Sequence, residues 1–178
     1  MSIRPGEPAD SDAAVSVWRH SNLARRGGAP MPDIDEERVR GYLDKSDAFL
    51  VVAEADGELT GISLGMQGKA DDGAGPPVPG LCHVSLVFVH PDHWGRGIGK
   101  LLVAGVVEQA GRRGYHRAQL WTHADNTRAQ RLYEGSGFVR SGREKADDLG
   151  DQIVHYELAS LPPSGSVTSR HEELRPTF

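Results

Sequence analysis

The spacing of apolar residues changes period several times along the chain, and each change marks an element. Ile3 opens a short extended stretch, IRPGEP (3–8), that runs into a turn. Asp10, Ser11 and Asp12 then offer N-caps for a helix carrying Val15, Val17 and Trp18. HSNLARRGGAPMPD (20–33) is rich in Gly, Pro and Arg and reads as a loop. Asp35 offers the cap of a second helix through Val39, Tyr42 and Leu43. AFLVVAEADGELTGISLGM (48–66) is two apolar runs around Ala-Asp-Gly, a strong hairpin signal. ADDGAGPPVPG (70–80) reads as a loop, and LCHVSLVFV (81–89) as a strand.

Helical spacing follows at Ile98, Leu101, Leu102, Gly105 and Val106, with Gly114 as the stop. AQLWTH (118–123) predicts a strand, and NTRAQRLYEGSGF (126–138) a short helix that opens on an Asn cap and closes on glycines. FVRSGR (138–143) and QIVHYEL (152–158) predict a closing pair of strands around a charged loop. From Leu161 onward Pro, Ser, Gly and charge dominate, so a single domain is expected over 1–160, with a loosely ordered tail at 161–178. Strand–helix–strand units around the glycine-rich segment imply at least one parallel pair, and the remaining order implies antiparallel ones. The expected class is a mixed α+β sheet.

Composition narrows the function classes. A net charge of −5 argues against broad nucleic-acid binding, which needs a basic face. Cys82 is the single cysteine, so no internal disulfide forms. The start, MSIRPGEPADSD, is polar, and no stretch approaches the length of a membrane span. A cytoplasmic protein without membrane partners is expected.

The densest chemistry lies in VHPDHWGRGIGKLL (89–102). Gly95, Gly97 and Gly99 stand between an apolar strand and an amphipathic helix. A loop without β-carbons lets N–H groups converge, and the head of a helix adds unpaired N–H groups and a positive dipole end. Together they make an anion cradle suited to a phosphate or pyrophosphate. The dinucleotide fingerprint needs a glycine where Lys100 stands. The P-loop needs a glycine where Trp94 stands and Ser or Thr where Leu101 stands. Neither fits.

The segment instead resembles the acyl-CoA-binding motif of the GCN5-related N-acetyltransferases, the GNAT superfamily. That motif is Gln or Arg, two residues, Gly, one residue, then Gly or Ala, after a strand ending in Val-x-Pro. Val89-His90-Pro91 and Trp94-Gly95-Arg96-Gly97-Ile98-Gly99 fill it, with Trp94 in place of the usual Gln or Arg. NTRAQRLYEGSGF matches the second family signature, an Asn, a Leu-Tyr pair on a helix and Gly-Phe, and IRPGEPAD resembles the first strand. The resemblance spans roughly residues 3–158.

It implies a GNAT fold: a mixed sheet of six or seven strands splayed between the fourth and fifth, flanked by about four helices. It implies acetyl-CoA as acetyl donor, held by Val87, Phe88 and Val89 along the pantetheine arm and by the backbone from Trp94 through Lys100 at the pyrophosphate. Asn126 and Ala129 complete that set. The N–H of Val89 is placed for the thioester carbonyl, where an oxyanion develops. Tyr133, in the Leu-Tyr pair, becomes the acid that protonates the leaving thiolate; its spacing with Ala129 and Leu132 equally describes a core tyrosine.

An acceptor amine with a pKa near about 10.4 must lose a proton. His83 and Ser85 share a strand face and are the candidates for the base or the start of a water relay, with His123 behind them. A satisfied strand histidine is the plainer reading of His83. His90 and His93 flank a proline without a third ligand and read as loop residues, so no metal is expected. Arg25 and Arg26 read plainly as a solvated pair, though their loop covers the acceptor pocket in such a fold; Asp147, Asp148 and Asp151 read plainly as surface acids, or as a wall of that pocket that attracts a cationic amine. Cys82 reads as packing.

The function expected is direct transfer of acetyl to a primary amine, of a small molecule first and of a protein N-terminus or lysine second. A non-catalytic acyl-CoA-binding module is the distant alternative. A homodimer is expected by analogy with the family.

Overall fold

A computed structural model of the chain describes residues 1–29 and 33–162. Seven strands, β1 (Ser2–Pro5), β2 (Phe49–Ala55), β3 (Glu58–Lys69), β4 (Pro77–Val89), β5 (Arg117–His123), β6 (Val139–Ala146) and β7 (Gln152–Leu158), form one sheet. Their spatial order is β1-β2-β3-β4-β5-β7-β6. Every pairing is antiparallel except that of β4 with β5. Four α-helices, α1 (Ser11–Arg25), α2 (Asp33–Leu43), α3 (Ile98–Arg112) and α4 (Thr127–Glu134), accompany the sheet. This is the mixed α+β architecture that the sequence predicted.

The sheet divides the core in two. Under α1 and α2, Val15, Val17 and Trp18 pack with Val52, Ile62, Leu64 and Leu86. On the opposite face, Ile98, Leu102, Val103 and Val106 of α3 and Tyr133 of α4 pack with Val51, Cys82, Val84 and Leu120. The α3 stripe differs from the predicted one. Leu101 is 42% exposed and Val103 is buried, because positions 98, 102, 106 and 110 follow the i, i+4 line that faces the sheet.

Several boundaries also move. α1 runs through Arg25 and ends where Gly27 (φ 65) and Gly28 (φ 88) enter the left-handed region, so residues 20–25 are helical and not loop. Asp10 precedes α1 but does not cap it. Its carboxylate accepts from Arg4 at 2.8 and 3.0 Å and from the Glu7 N–H at 2.8 Å, tying β1 to the turn. α2 begins at Asp33, two residues before the expected cap; the Asp35 side chain lies outside the described residues. The predicted loop at 70–80 is shorter, since β3 reaches Lys69 and pairs with Pro77 at the start of β4. The Gln67 side chain donates to the Val78 and Leu81 carbonyls at 2.7 and 3.3 Å, stapling this extension.

Other signals translate directly. Asp56 (φ 54) and Gly57 (φ 81) form the two-residue turn of the β2–β3 hairpin. Gly114 (φ 85) terminates α3, with the Tyr115 N–H donating to Ala110 O at 3.1 Å. The packed body continues through Leu161, which is 7% exposed and donates its N–H to His116 O at 2.8 Å. Residues 163–178, most of the expected tail, lie outside the described residues.

Candidate active site

β4 and β5 pair only at Leu81–Arg117, Cys82–Ala118 and His83–Gln119. Past His83 the strands part. At that point the β3–β4 register skips Ser85, a β-bulge that reverses the facing of β4. Before it, Cys82 and Val84 face α3; after it, Val87 and Val89 do, while Leu86 and Phe88 face α1. The His90 N–H donates to Thr60 O at 2.8 Å. By the two-residue alternation of a strand, Phe88 also bonds toward β3, and the N–H groups of Val87 and Val89 point into the splay. The Val89 carbonyl, on that same side, accepts from the Trp94 indole Nε1 at 2.6 Å.

The loop after β4 turns on Gly95 (φ 79) and Gly97 (φ 77). Nothing lies within 4 Å of where a Cβ would sit on either, so a ligand can approach the backbone. The first amides of α3 to find helical partners are those of Lys100 and Leu101, both donating to Gly97 O, at 3.1 and 3.4 Å. Among the described residues the N–H groups of Gly95, Arg96, Gly97, Ile98 and Gly99 have no protein acceptor. Unclaimed amides at the head of a 15-residue helix suit an anion such as a pyrophosphate. A Cβ on Gly99 would stand 3.1 Å from Leu132 Cδ2, so this glycine also lets α3 pack against α4.

The splay holds a cavity of about 450 Å³. Its walls include Val87, Phe88, Val89, Trp94, Gly95, Gly97, Ile98, Gly99, Lys100, Asn126 and Ala129, all expected from the sequence; Arg96 does not contribute. Asn126 Oδ1 accepts from the Ala129 N–H at 3.1 Å and caps α4, which leaves its amide NH₂ for the cavity. Arg25, expected over the acceptor pocket, lines it too, as do Ser21, His93, Arg128 and Leu132, which the sequence reading did not assign there. For Arg128 the signal was local: it stands two residues past Asn126, in the first turn of α4.

The expected catalytic residues, Tyr133, His83 and Ser85, are not part of this lining. Tyr133 is 7% exposed, packed 6.1 Å from Phe138 and 6.2 Å from Tyr156 between ring centroids. Burial pushes its phenol well above the ordinary value, and its hydroxyl has no hydrogen-bond partner among the described residues. His83 sits at the last paired position of β4. Its ring keeps some exposure, yet Nδ1 is sealed from water and lacks any partner among the described residues. Burial first, then the neighbouring His155, Lys45 and Lys145, hold its pKa down at about 4.

Beside it is a chain the sequence did not reveal. His155 is wholly buried, with Nδ1 2.8 Å from Ser141 Oγ and Nε2 3.2 Å from Gln119 Oε1. Cys82 is core packing, and burial pushes its thiol up to about 12.

Two ion pairs draw the helices toward the far side of the splay. Arg25 meets Asp125 at 3.5 Å, and Arg38 of α2 meets Asp148 at 3.0 Å. The β6–β7 loop is shaped by Asp147 Oδ1, which accepts from the Leu149 and Asp151 N–H groups, both at 2.9 Å. Ligand atoms of His123, Asp147 and Asp151 lie within 4.8 Å of one another. Burial, then Arg25, lowers the His123 pKa. Of the histidines around the glycine loop, His93 lines the cavity and His90 packs 4.9 Å from His20.

Comparison with known proteins agrees with this architecture. A mycothiol acetyltransferase of Kocuria rhizophila is 30% identical over 147 residues, 79% of this chain and 46% of that protein. One from Paenarthrobacter aurescens is 29% identical over 136 residues, 76% of this chain and 41% of that protein. The chain thus spans less than half the length of these curated relatives. The ribosomal-protein-alanine N-acetyltransferase of Brucella melitensis superposes with a TM-score of 0.70 at 20% identity, covering 89% of this chain and 99% of that one. The acetyltransferase YncA of Salmonella typhimurium, solved with acetyl-CoA, gives 0.67 at 21% identity, covering 92% and 98%. No helix among the described residues is long and apolar enough to cross a membrane. The sequence pattern of the Acetyltransferase (GNAT) family matches residues 14–138, and with this match and the splayed sheet the chain belongs to that family.

Proposed function

We propose that this acetyltransferase moves the acetyl group of acetyl-CoA directly onto the primary amine of a small molecule. One observation carries the reading: the freed edge of β4 opens on a cavity of about 450 Å³ that ends at five unclaimed amides on the head of α3. Acetyl-CoA supplies an activated thioester, a pantetheine arm able to pair with β4 and a pyrophosphate for the cradle. The names of the curated relatives, and the acetyl-CoA bound to YncA, support that donor.

The residues divide the work. Val87 and Val89 present N–H groups along the splay, and that of Val89 stabilises the oxyanion formed during attack. His83 is neutral at physiological pH and keeps part of its side chain exposed, so with the Ser85 hydroxyl it starts a water relay that carries the acceptor's proton away, while the sealed Nδ1 takes no direct part. A carbon–nitrogen bond forms as the carbon–sulfur bond breaks. Tyr133 gives its proton to the departing sulfur and recovers one from solvent. Its raised pKa keeps it protonated at working pH.

The acceptor's character follows from the far side of the splay. Asp147 and Asp151 beside His123 favour an ammonium group. The Arg25–Asp125 and Arg38–Asp148 pairs narrow the approach, which favours a small molecule over a folded protein surface. The test is release of CoA thiol from acetyl-CoA across polyamines, amino acids, aminoglycosides, arylalkylamines, amino-sugar thiols and short peptides. Release with one small-amine class is expected. Release with peptides alone overturns the small-molecule reading, and silence across the panel with acetyl-CoA bound overturns the transfer reading.

A further inference from the structure

Trp94, on the loop before α3, and Arg128, in the first turn of α4, meet in the lining of the cavity. The Trp94 indole has one hydrogen-bond donor, and Val89 O takes it at 2.6 Å. That bond anchors the indole and leaves Trp94 no polar group for a ligand. On its face lies Arg128, with the guanidinium carbon 4.8 Å from the ring centroid. Among the described residues Arg128 has no carboxylate partner and no hydrogen bond.

An arginine held by an aromatic face differs from one held by a carboxylate. The ring orients the guanidinium through its quadrupole while consuming none of the five N–H donors and none of the charge. Arg25, the other guanidinium on the cavity, is already committed to Asp125. Lys100 also lines the cavity and brings a point charge, but not a planar fork for two oxygens. The structure therefore holds one oriented, uncommitted guanidinium at the rim of a cradle whose backbone amides already suit an anion.

We infer that Arg128 is a phosphate-binding residue for the acyl donor and that Trp94 is its positioning residue, locked in place by the Val89 carbonyl. Arg128 forks onto phosphate oxygens at the same cavity that the glycine amides line. The two residues come from segments 34 positions apart in sequence, so the bound donor ties the loop before α3 to α4. The inference rests on acetyl-CoA being the donor, and one experiment separates the two claims.

Binding of acetyl-CoA, 3′-dephospho-acetyl-CoA and S-acetyl-pantetheine is measured calorimetrically on the unaltered full chain and on Arg128→Gln, Trp94→Leu and their double variant, each first checked for a native circular dichroism spectrum. Arg128→Gln is expected to weaken acetyl-CoA at least tenfold and to leave S-acetyl-pantetheine within twofold. Retention of the loss with the 3′-dephospho donor assigns the contact to the pyrophosphate; its disappearance assigns it to the 3′-phosphate. Trp94→Leu is expected to weaken acetyl-CoA severalfold in the unaltered background and to add little once Arg128 is gone.

Acetyl-CoA bound equally by Arg128→Gln and the unaltered protein overturns the Arg128 assignment alone. Equal losses for all three donors overturn it too, as they mark a structural role. Additive effects of the two substitutions overturn the positioning role of Trp94. Failure of the unaltered protein to bind acetyl-CoA overturns the donor reading and this inference together.

Discussion

Burial sets how Tyr133 and His83 respond to pH. The phenol of Tyr133 is raised by desolvation, so it stays protonated beyond the ordinary value of about 10. Tyr133→Phe should lower kcat by about 10²-fold, within the range of a lost general acid, while acetyl-CoA affinity is retained. Steady-state kinetics beside calorimetric binding checks both halves, and unchanged turnover removes Tyr133 from the chemistry. His83 titrates at about 4 in the fold and near 6.5 when unfolded. Between those values the unfolded chain binds the extra proton, so stability falls as pH drops through that window. His83→Gln should remove about 2–3 kcal/mol of that acid sensitivity by pH 4.5, read as a smaller shift in urea midpoint from pH 7 than the unaltered protein shows. Equal shifts would mean that His83 is not held neutral. Local signals made Asn126 legible in the sequence, because a cap acts within three residues. The Trp94–Arg128 contact and the His155–Gln119 bond join distant segments, and no local pattern encodes them.

At the scale of elements, α3 carries the cradle and its seating decides where the amides point. Its buried line lies directly on β3, where a Cβ on Gly61 would come within 2.7 Å of Leu102 Cδ1 and 3.2 Å of Phe88 O. Gly61→Ala should cost about 1–3 kcal/mol through overpacking, seen as a lowered thermal midpoint. Gly97→Ala acts differently. Its φ of 77 is strained for any side chain, at about 1–2 kcal/mol, and the new methyl points into the open cradle. It should also lose acetyl-CoA affinity at least tenfold, which Gly61→Ala should not match once stability is accounted for. Periodicity found every strand and helix but not their full lengths. α1 outran the predicted loop because the first true breaker is Gly27. β3 and β4 lengthened because pairing and the Gln67 staple outweighed a Gly- and Pro-rich composition. Leu101 misled the α3 stripe, since apolar character alone does not say which side of the line faces the sheet.

At the scale of the molecule, the order of elements was enough to foresee a mixed sheet with a parallel β4–β5 pair. The opening of that pair was not in any local pattern; it came from the family resemblance. It coincides with the bulge at Ser85, just past the last β4–β5 pair, and both are features of long-range register. That opening is the central claim, because it turns a strand edge and a helix head into one binding surface. Backbone hydrogen exchange with and without acetyl-CoA, resolved to single amides, tests it most directly. The account predicts slowed exchange at Val87, Val89 and Gly95–Gly99, with no change at Phe88, whose N–H already bonds to β3. Protection that falls elsewhere, or that includes Phe88 as strongly as its neighbours, would contradict the placement of the donor in the splay.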